Sequence, residues 1–206
     1  MNPKIKSLIE ISFIILIFVV LTYLVQTNID FFEGLINKSI GGILIYISII
    51  IIAIVVAPIS SIPLIPLVSN IWGWKLAGAV SVIGWTLGSI IAFLLARKYG
   101  VKIVKRLIPL SQIHHIEDKI PEKNLFLSVL FLRMIIPVDI LSYALGLFSK
   151  IKFWPYVIAT FIGVIPVTFL LAYVGTINPL FQLIVFLIVG IILLTGWIVK
   201  EKQGKH

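Results

Sequence analysis

Cysteine is absent from the 206 residues. That excludes disulfides, thiolate metal sites and cysteine nucleophiles. Acidic residues are scarce, 8 against 17 lysines and arginines, and charged residues of both signs make up only 12% of the chain. With 60% hydrophobic residues and a mean hydropathy of +1.17, the chain lies far outside the range of soluble globular domains. An all-α polytopic membrane protein is expected, built as a single membrane domain because no long polar linker divides it. Several function classes lose their footing. There is no Gly-x-Ser-x-Gly elbow, no HExxH and no P-loop, so no enzyme is expected. An intramembrane aspartyl mechanism needs two acids, and Asp139 stands alone at depth. The basic excess flanks apolar runs rather than forming one solvated face, which argues against nucleic acid. His114, His115, Glu117 and Asp118 share a polar loop, but adjacent histidines point to different helix faces and His206 is terminal. No metal and no cofactor are expected.

What is present is a series of long apolar runs. Lys4 and Lys6 precede the first, which has no small-residue cleavage site and reads as an uncleaved span. A helical span needs about 20 apolar residues. Residues 11–29 and 76–96 fit one span each, and 153–199 fits two, with a turn at 175–179. Two stretches do not fit. Residues 41–74 carry no charge, are too long for one span and too short for two, and contain Pro58, Pro63 and Pro66. Residues 124–149 cross once only by burying Arg133 and Asp139 and bending at Pro137. Both suit a re-entrant hairpin that breaks at depth and returns to its own side, which requires a surrounding of protein or a watery cavity.

Charge placement agrees with that reading. With both termini in the cytoplasm, the loop holding Asp30, Glu33 and Lys38 is external, and the loop at 101–123 is internal with the tail. Only Lys38 and Lys75 then fall outside, as the positive-inside rule requires of a multi-pass plasma-membrane protein. Residues 101–120 read as two short interfacial helices parted near Pro109 and drawn to anionic headgroups. The expected organisation is a first span and external loop (1–40), a first repeat (41–100), the internal loop (101–123), a second repeat (124–175), and a last span with a basic tail (176–206).

The two repeats share an order: prolines, a polar patch, a glycine, a long span and a closing glycine. Gly88 and Gly100 are separated as Gly163 and Gly175 are. The hairpins enter from opposite sides, so the repeats are inverted, a transporter design with its site at the repeat interface. Ala77, Ser81, Gly84, Gly88 and Ala92 form a small-residue stripe that admits a close neighbouring helix. Gly146 and Gly163 are expected to serve packing in the second half.

"GWTLGSIIAFLLARKYG" (84–100) resembles the glycine-spaced span of the DedA/VTT superfamily. "FLRMIIPVDILSYALGLFSKIKFWPYVIATFIGVIPVTFLLAYVG" (131–175) resembles its second signature, in which an arginine precedes a proline, a Ser/Asn-Tyr-x-x-Gly element and a Gly-x-x-Pro helix. The resemblance covers roughly residues 40–176 and is closest to the SNARE-associated, Golgi-type branch. The second basic residue usual in the narrower DedA branch is replaced near its place by Asp139. The first hairpin offers Ser60, Ser61, Ser69 and Asn70 where DedA proteins often carry an acid. The resemblance implies movement of lipids between leaflets, with phospholipids or a polyprenyl phosphate as substrates, and links to proton-motive-force homeostasis.

The residues expected to carry this work follow from cost. An ionisable group at membrane depth is retained for a cavity or a partner. Arg133 is expected to contact a lipid phosphate, with bidentate geometry that lysine lacks. Asp139 is expected to hold Arg133 across the break or to take a proton. The alternative is a buried ion pair that only pins the hairpin. Ser142 and Tyr143 either bond a headgroup or bond their own backbone. Pro58, Pro63, Pro66 and Pro137 are hairpin breakers. The partners are membrane lipids, with scramblase or proton-linked flippase action; the other reading is a non-transporting membrane scaffold. A homo-oligomer is left open.

Overall fold

The computed structural model describes residues 3–36, 38–56, 60–107 and 124–188. Among them the chain is helical, without strands. The order is α1 (Pro3–Thr27), α2 (Ile29–Leu35), α3 (Ile40–Val55), a 3-10 turn (Ile62–Leu64), α4 (Ile65–Trp72), α5 (Trp74–Leu107), α6 (Leu125–Ile135), α7 (Val138–Phe148) and α8 (Phe153–Val174). A further apolar helix, α9, covers Pro179–Ile188. Residues 108–123, including His114, His115, Glu117 and Asp118, lie outside the described residues, as do Pro58 and the chain beyond 188.

Two stretches, Trp74–Lys102 and Phe153–Val174, are long and apolar enough to cross a membrane. Their outer faces expose Ile83, Leu87, Ile91 and Leu94 on α5, and Ile158, Phe161, Ile162 and Leu170 on α8. A helix that is apolar on its outside as well as its inside is suited to lipid rather than water. α5 extends beyond the expected 76–96. It continues past Arg97 to Gly100, where φ 62° and ψ −161° kink it before the helix resumes. Only glycine takes that backbone without a side-chain penalty.

α5 is the spine against which α3, α4, α7 and α8 pack. Its small-residue stripe is buried along its whole length. Tyr46 Oη meets Ser81 Oγ at 2.7 Å. A Cβ on Gly84 would lie 3.1 Å from Ile50, and one on Gly88 would lie 2.8 Å from Ile54. These pairs ascend together, so α3 runs parallel to α5, from the level of Trp74 to about that of Gly88. The chain then turns: Trp85 Nε1 donates to Ser61 Oγ at 3.0 Å, and α4 returns until Trp72 meets the Tyr46 ring edge-on at 5.4 Å. The outer ends of α3 and α4 therefore lie at one end of the molecule, beside Trp74.

α8 runs antiparallel to α5. Trp74 touches Phe169 and Tyr173 edge-on at 6.3 and 5.8 Å, while Phe93 stacks on Tyr156 at 3.9 Å. α7 finishes at the second of these ends, where Arg97 bonds the carbonyls of Ser149 and Ile151 at 2.5 and 2.6 Å. α6 lies along α8. α6 and α7, at 11 residues each, are about 16 Å long, roughly half of a ~30 Å hydrocarbon layer. After α8 the chain turns at Gly175 and Thr176, in the segment where a turn is expected.

Gly146 marks the tightest approach between the two halves. A Cβ there would stand 2.6 Å from both Phe93 O and Ala96 Cβ. Backbone cannot yield as a flexible side chain does, so Gly146→Val is expected to destabilise the protein by at least the ~1–3 kcal/mol typical of overpacking. Gly34, with nothing within 4 Å of its missing Cβ, is the control. Thermal unfolding in detergent should show a lowered Tm for Gly146→Val and none for Gly34→Ala; equal melting would refute the close contact.

Candidate functional site

Pro137 creates the site. It has no N–H to offer a helix, and its ring disfavours helical backbone at the residue before it. Ile136 is accordingly extended, with φ −102° and ψ 136°, and Pro137 becomes the N-cap of α7. The break leaves α6 with free carbonyls at its end and α7 with free N–H groups at its start. Arg133 occupies the last turn of α6 and Asp139 the first turn of α7. Each charge thus sits at the helix end whose dipole favours it.

The break does not bring the two side chains together. Among the described residues no acid forms an ion pair with Arg133. Its Nη1 donates to Val138 O at 2.6 Å, and its Nη2 donates to Tyr156 Oη at 2.8 Å and Thr160 Oγ1 at 3.1 Å. The residue is 3% exposed, and its Nε has no partner. Asp139 is half-buried in the first turn of α7. Asp139 stays within electrostatic reach of Arg133 without an ion pair in contact: the nearer acceptors, a backbone carbonyl across the break and two hydroxyls on α8, take the guanidinium's hydrogen bonds.

Ser142 and Tyr143 also bond backbone. Ser142 Oγ donates to Val138 O at 2.5 Å, the carbonyl that Arg133 uses. Tyr143 Oη donates to Val55 O at 2.6 Å, satisfying the final residue of α3 and joining the two hairpin tips. Pro63 and Pro66 occupy the first turns of the 3-10 segment and of α4, positions where a missing N–H costs nothing. Gly163 lets α8 meet the hairpin: a Cβ there would lie 2.9 Å from Arg133 Cβ and 3.0 Å from Leu130 O.

Several residues of this network escape a reading of the sequence. Tyr156 accepts from Arg133 and donates to Ser89 O at 2.9 Å, so one phenol links α5, α6 and α8. Tyr156, Thr160 and Gly163 recur at helical spacing, a signal that marks one face of α8 but not its partner. At the Trp74 end, Asn70 Nδ2 donates to Gly175 O at 2.9 Å and Gln26 Nε2 to Asn70 Oδ1 at 3.2 Å. At the other end Arg97 caps α7 while lying 4.4 Å from the Phe93 ring centroid. No group of metal-ligating side chains occurs among the described residues.

Arg97→Ala is expected to fray the end of α7. Losing charged hydrogen bonds of ~1.5–3 kcal/mol each should raise amide exchange at residues 145–149 by about tenfold or more. Hydrogen–deuterium exchange that leaves this segment as protected as in the native protein would refute the cap.

Comparison with known proteins then adds one finding. The family model of the VTT domain matches residues 58–177. No curated protein and no solved structure matches the chain. The matched stretch exceeds half of the chain and takes in α4 to α8, with Arg97, Arg133 and Tyr156. The chain therefore belongs to the VTT-domain family, the DedA/SNARE-associated family of membrane proteins.

Proposed function

We propose that the protein moves phosphate-bearing lipids between leaflets, with Arg133 as the phosphate ligand. One observation carries the reading: Arg133 is buried with neutral hydrogen-bond acceptors alone, and its Nε–H has no partner. A buried charge with no opposite charge in direct contact costs several kcal/mol, and Asp139 acts on Arg133 only from a distance. An arriving phosphate would supply that charge and a hydrogen-bond acceptor together. Lipid transport is the activity often linked to the family, and it suits a cation held at a helix break.

In this reading the α3–α4 and α6–α7 pairs are re-entrant hairpins entering from opposite leaflets, with α1, α5 and α8 as full spans and α9 the described start of a fourth crossing. The parallel run of α3 with α5, the return of α4 to Trp74, and the finish of α7 at the Arg97 end support it. Both termini are cytoplasmic and the membrane is the plasma membrane. Asp139, unpaired with Arg133, is the group that would carry a linked proton. A second reading rests on the same contacts: three protein acceptors also suit an arginine that pins the hairpin in a non-transporting scaffold.

Liposome reconstitution separates the two. Fluorescent phospholipid and polyprenyl-phosphate analogues should reach the inner leaflet in a protein-dependent way, with and without a pH gradient. Arg133→Lys should slow this at least tenfold while inserting and purifying normally, because a single ammonium cannot reproduce the planar fork. Asp139→Asn should remove any response to the gradient. Full transport by Arg133→Lys excludes the phosphate role, and no exchange of any lipid by the native protein favours the scaffold.

A further inference from the structure

The guanidinium of Arg133 has two edges with different surroundings. Its Nη1 bonds the hairpin's own backbone at Val138 O. The donors on the far side are Nε, buried and unpartnered, and Nη2, whose two hydrogens go to Tyr156 Oη and Thr160 Oγ1 on α8. A forked contact to two phosphate oxygens uses a pair of adjacent donors. Tyr156 and Thr160 therefore occupy half of the fork that a phosphate needs, and leave the other half empty.

We propose that Tyr156 and Thr160 are placeholders for the phosphoryl group: they hold the Nη2 donor of Arg133 in the empty site and are displaced from it when phosphate binds. This rests on the reading of Arg133 as a phosphate ligand and deepens it. The geometry favours exchange over permanent pinning. Hydroxyls are neutral, so they satisfy the donors without cancelling the buried charge. Each also has a second bonding option. Tyr156 Oη already donates to Ser89 O. Thr160, in the middle of α8, has the option general to helical threonines of turning to the carbonyl four residues back, as Thr168 does to Val164 O at 2.6 Å. Ser89 Oγ, on the residue whose carbonyl the same phenol bonds, is buried and unpartnered. Tyr156 and Thr160 are thus positioning residues that set how tightly the site takes phosphate.

Thr160→Val keeps the side chain's shape and removes one competitor for Nη2. The full chain in a maltoside detergent, which carries no phosphate, is titrated with a short-chain phosphatidic acid and, separately, with inorganic phosphate. Calorimetry reads the affinity. Thr160→Val should bind the lipid about tenfold tighter than the native protein, equivalent to ~1.4 kcal/mol, and Thr160→Ser should return to the native value. Tightening for both probes identifies the phosphoryl group alone as the ligand; tightening for phosphatidic acid only assigns the site to lipid. Unchanged or weaker binding by Thr160→Val, with native binding still lost in Arg133→Lys, overturns the placeholder role and leaves Arg133 as ligand. Equal binding by the native protein and Arg133→Lys, or none by either, overturns both.

Discussion

The buried guanidinium of Arg133 is the constraint around which the second half of the molecule is arranged. A cation inside an apolar assembly has to be ringed by acceptors, and this one draws them from the start of α7 and from α8. The break at Pro137 brings the carbonyl of Val138 to the arginine, Gly163 lets α8 approach the arginine's own Cβ, and Tyr156 and Thr160 supply hydroxyls from that helix. Tyr156 in turn reaches Ser89 on α5. Without the arginine, nothing would join the end of α6 to the start of α7 and to the hydroxyls of α8. Without the break, the arginine would lack its closest acceptor.

The ends of the bundle follow a related logic. Helix C-termini leave carbonyls unpaired, and in an apolar setting each needs a donor. At the Trp74 end those of α8 and of the turn after it are met by Asn70, Gln26 and Gln182. At the opposite end those of α7 are met by Arg97. The amides are neutral and the arginine is charged, so the two ends differ in charge as well as in partner. Arg97, Phe93, Tyr156 and Arg133 form one continuous line of contacts from that face to the broken helix. Rearrangement at the hairpin would be felt at the basic end through this line.

Much of this is legible in the sequence where cost is high and local. Prolines, span lengths and intramembrane charges mark the breaks, because each is tolerated only under special conditions, and Arg133, Pro137 and the α5 glycine stripe stand out on those grounds. What the sequence hides is direction. Arg133 and Asp139 look like partners by charge and proximity, yet six positions along the chain do not say which way either side chain turns. Tyr156 and Thr160 look like ordinary residues of an apolar helix, since neither hydroxyl is costly until its partner is known. The kink at Gly100 is equally silent, because a glycine in a long helix permits a bend without requiring one.

The central claim is that the unused donor beside Tyr156 and Thr160 is where a phosphate goes. Solid-state NMR on protein labelled with 15N-arginine, in bilayers of phosphate-bearing lipid, measures nitrogen–phosphorus distances. Comparison with Arg133→Lys assigns the signal. The account predicts a 31P nucleus about 4 Å from the Arg133 guanidinium, the separation set by an N–H···O–P contact. A guanidinium with no phosphorus nearby, in a protein that still transports lipid in the same bilayers, would contradict it.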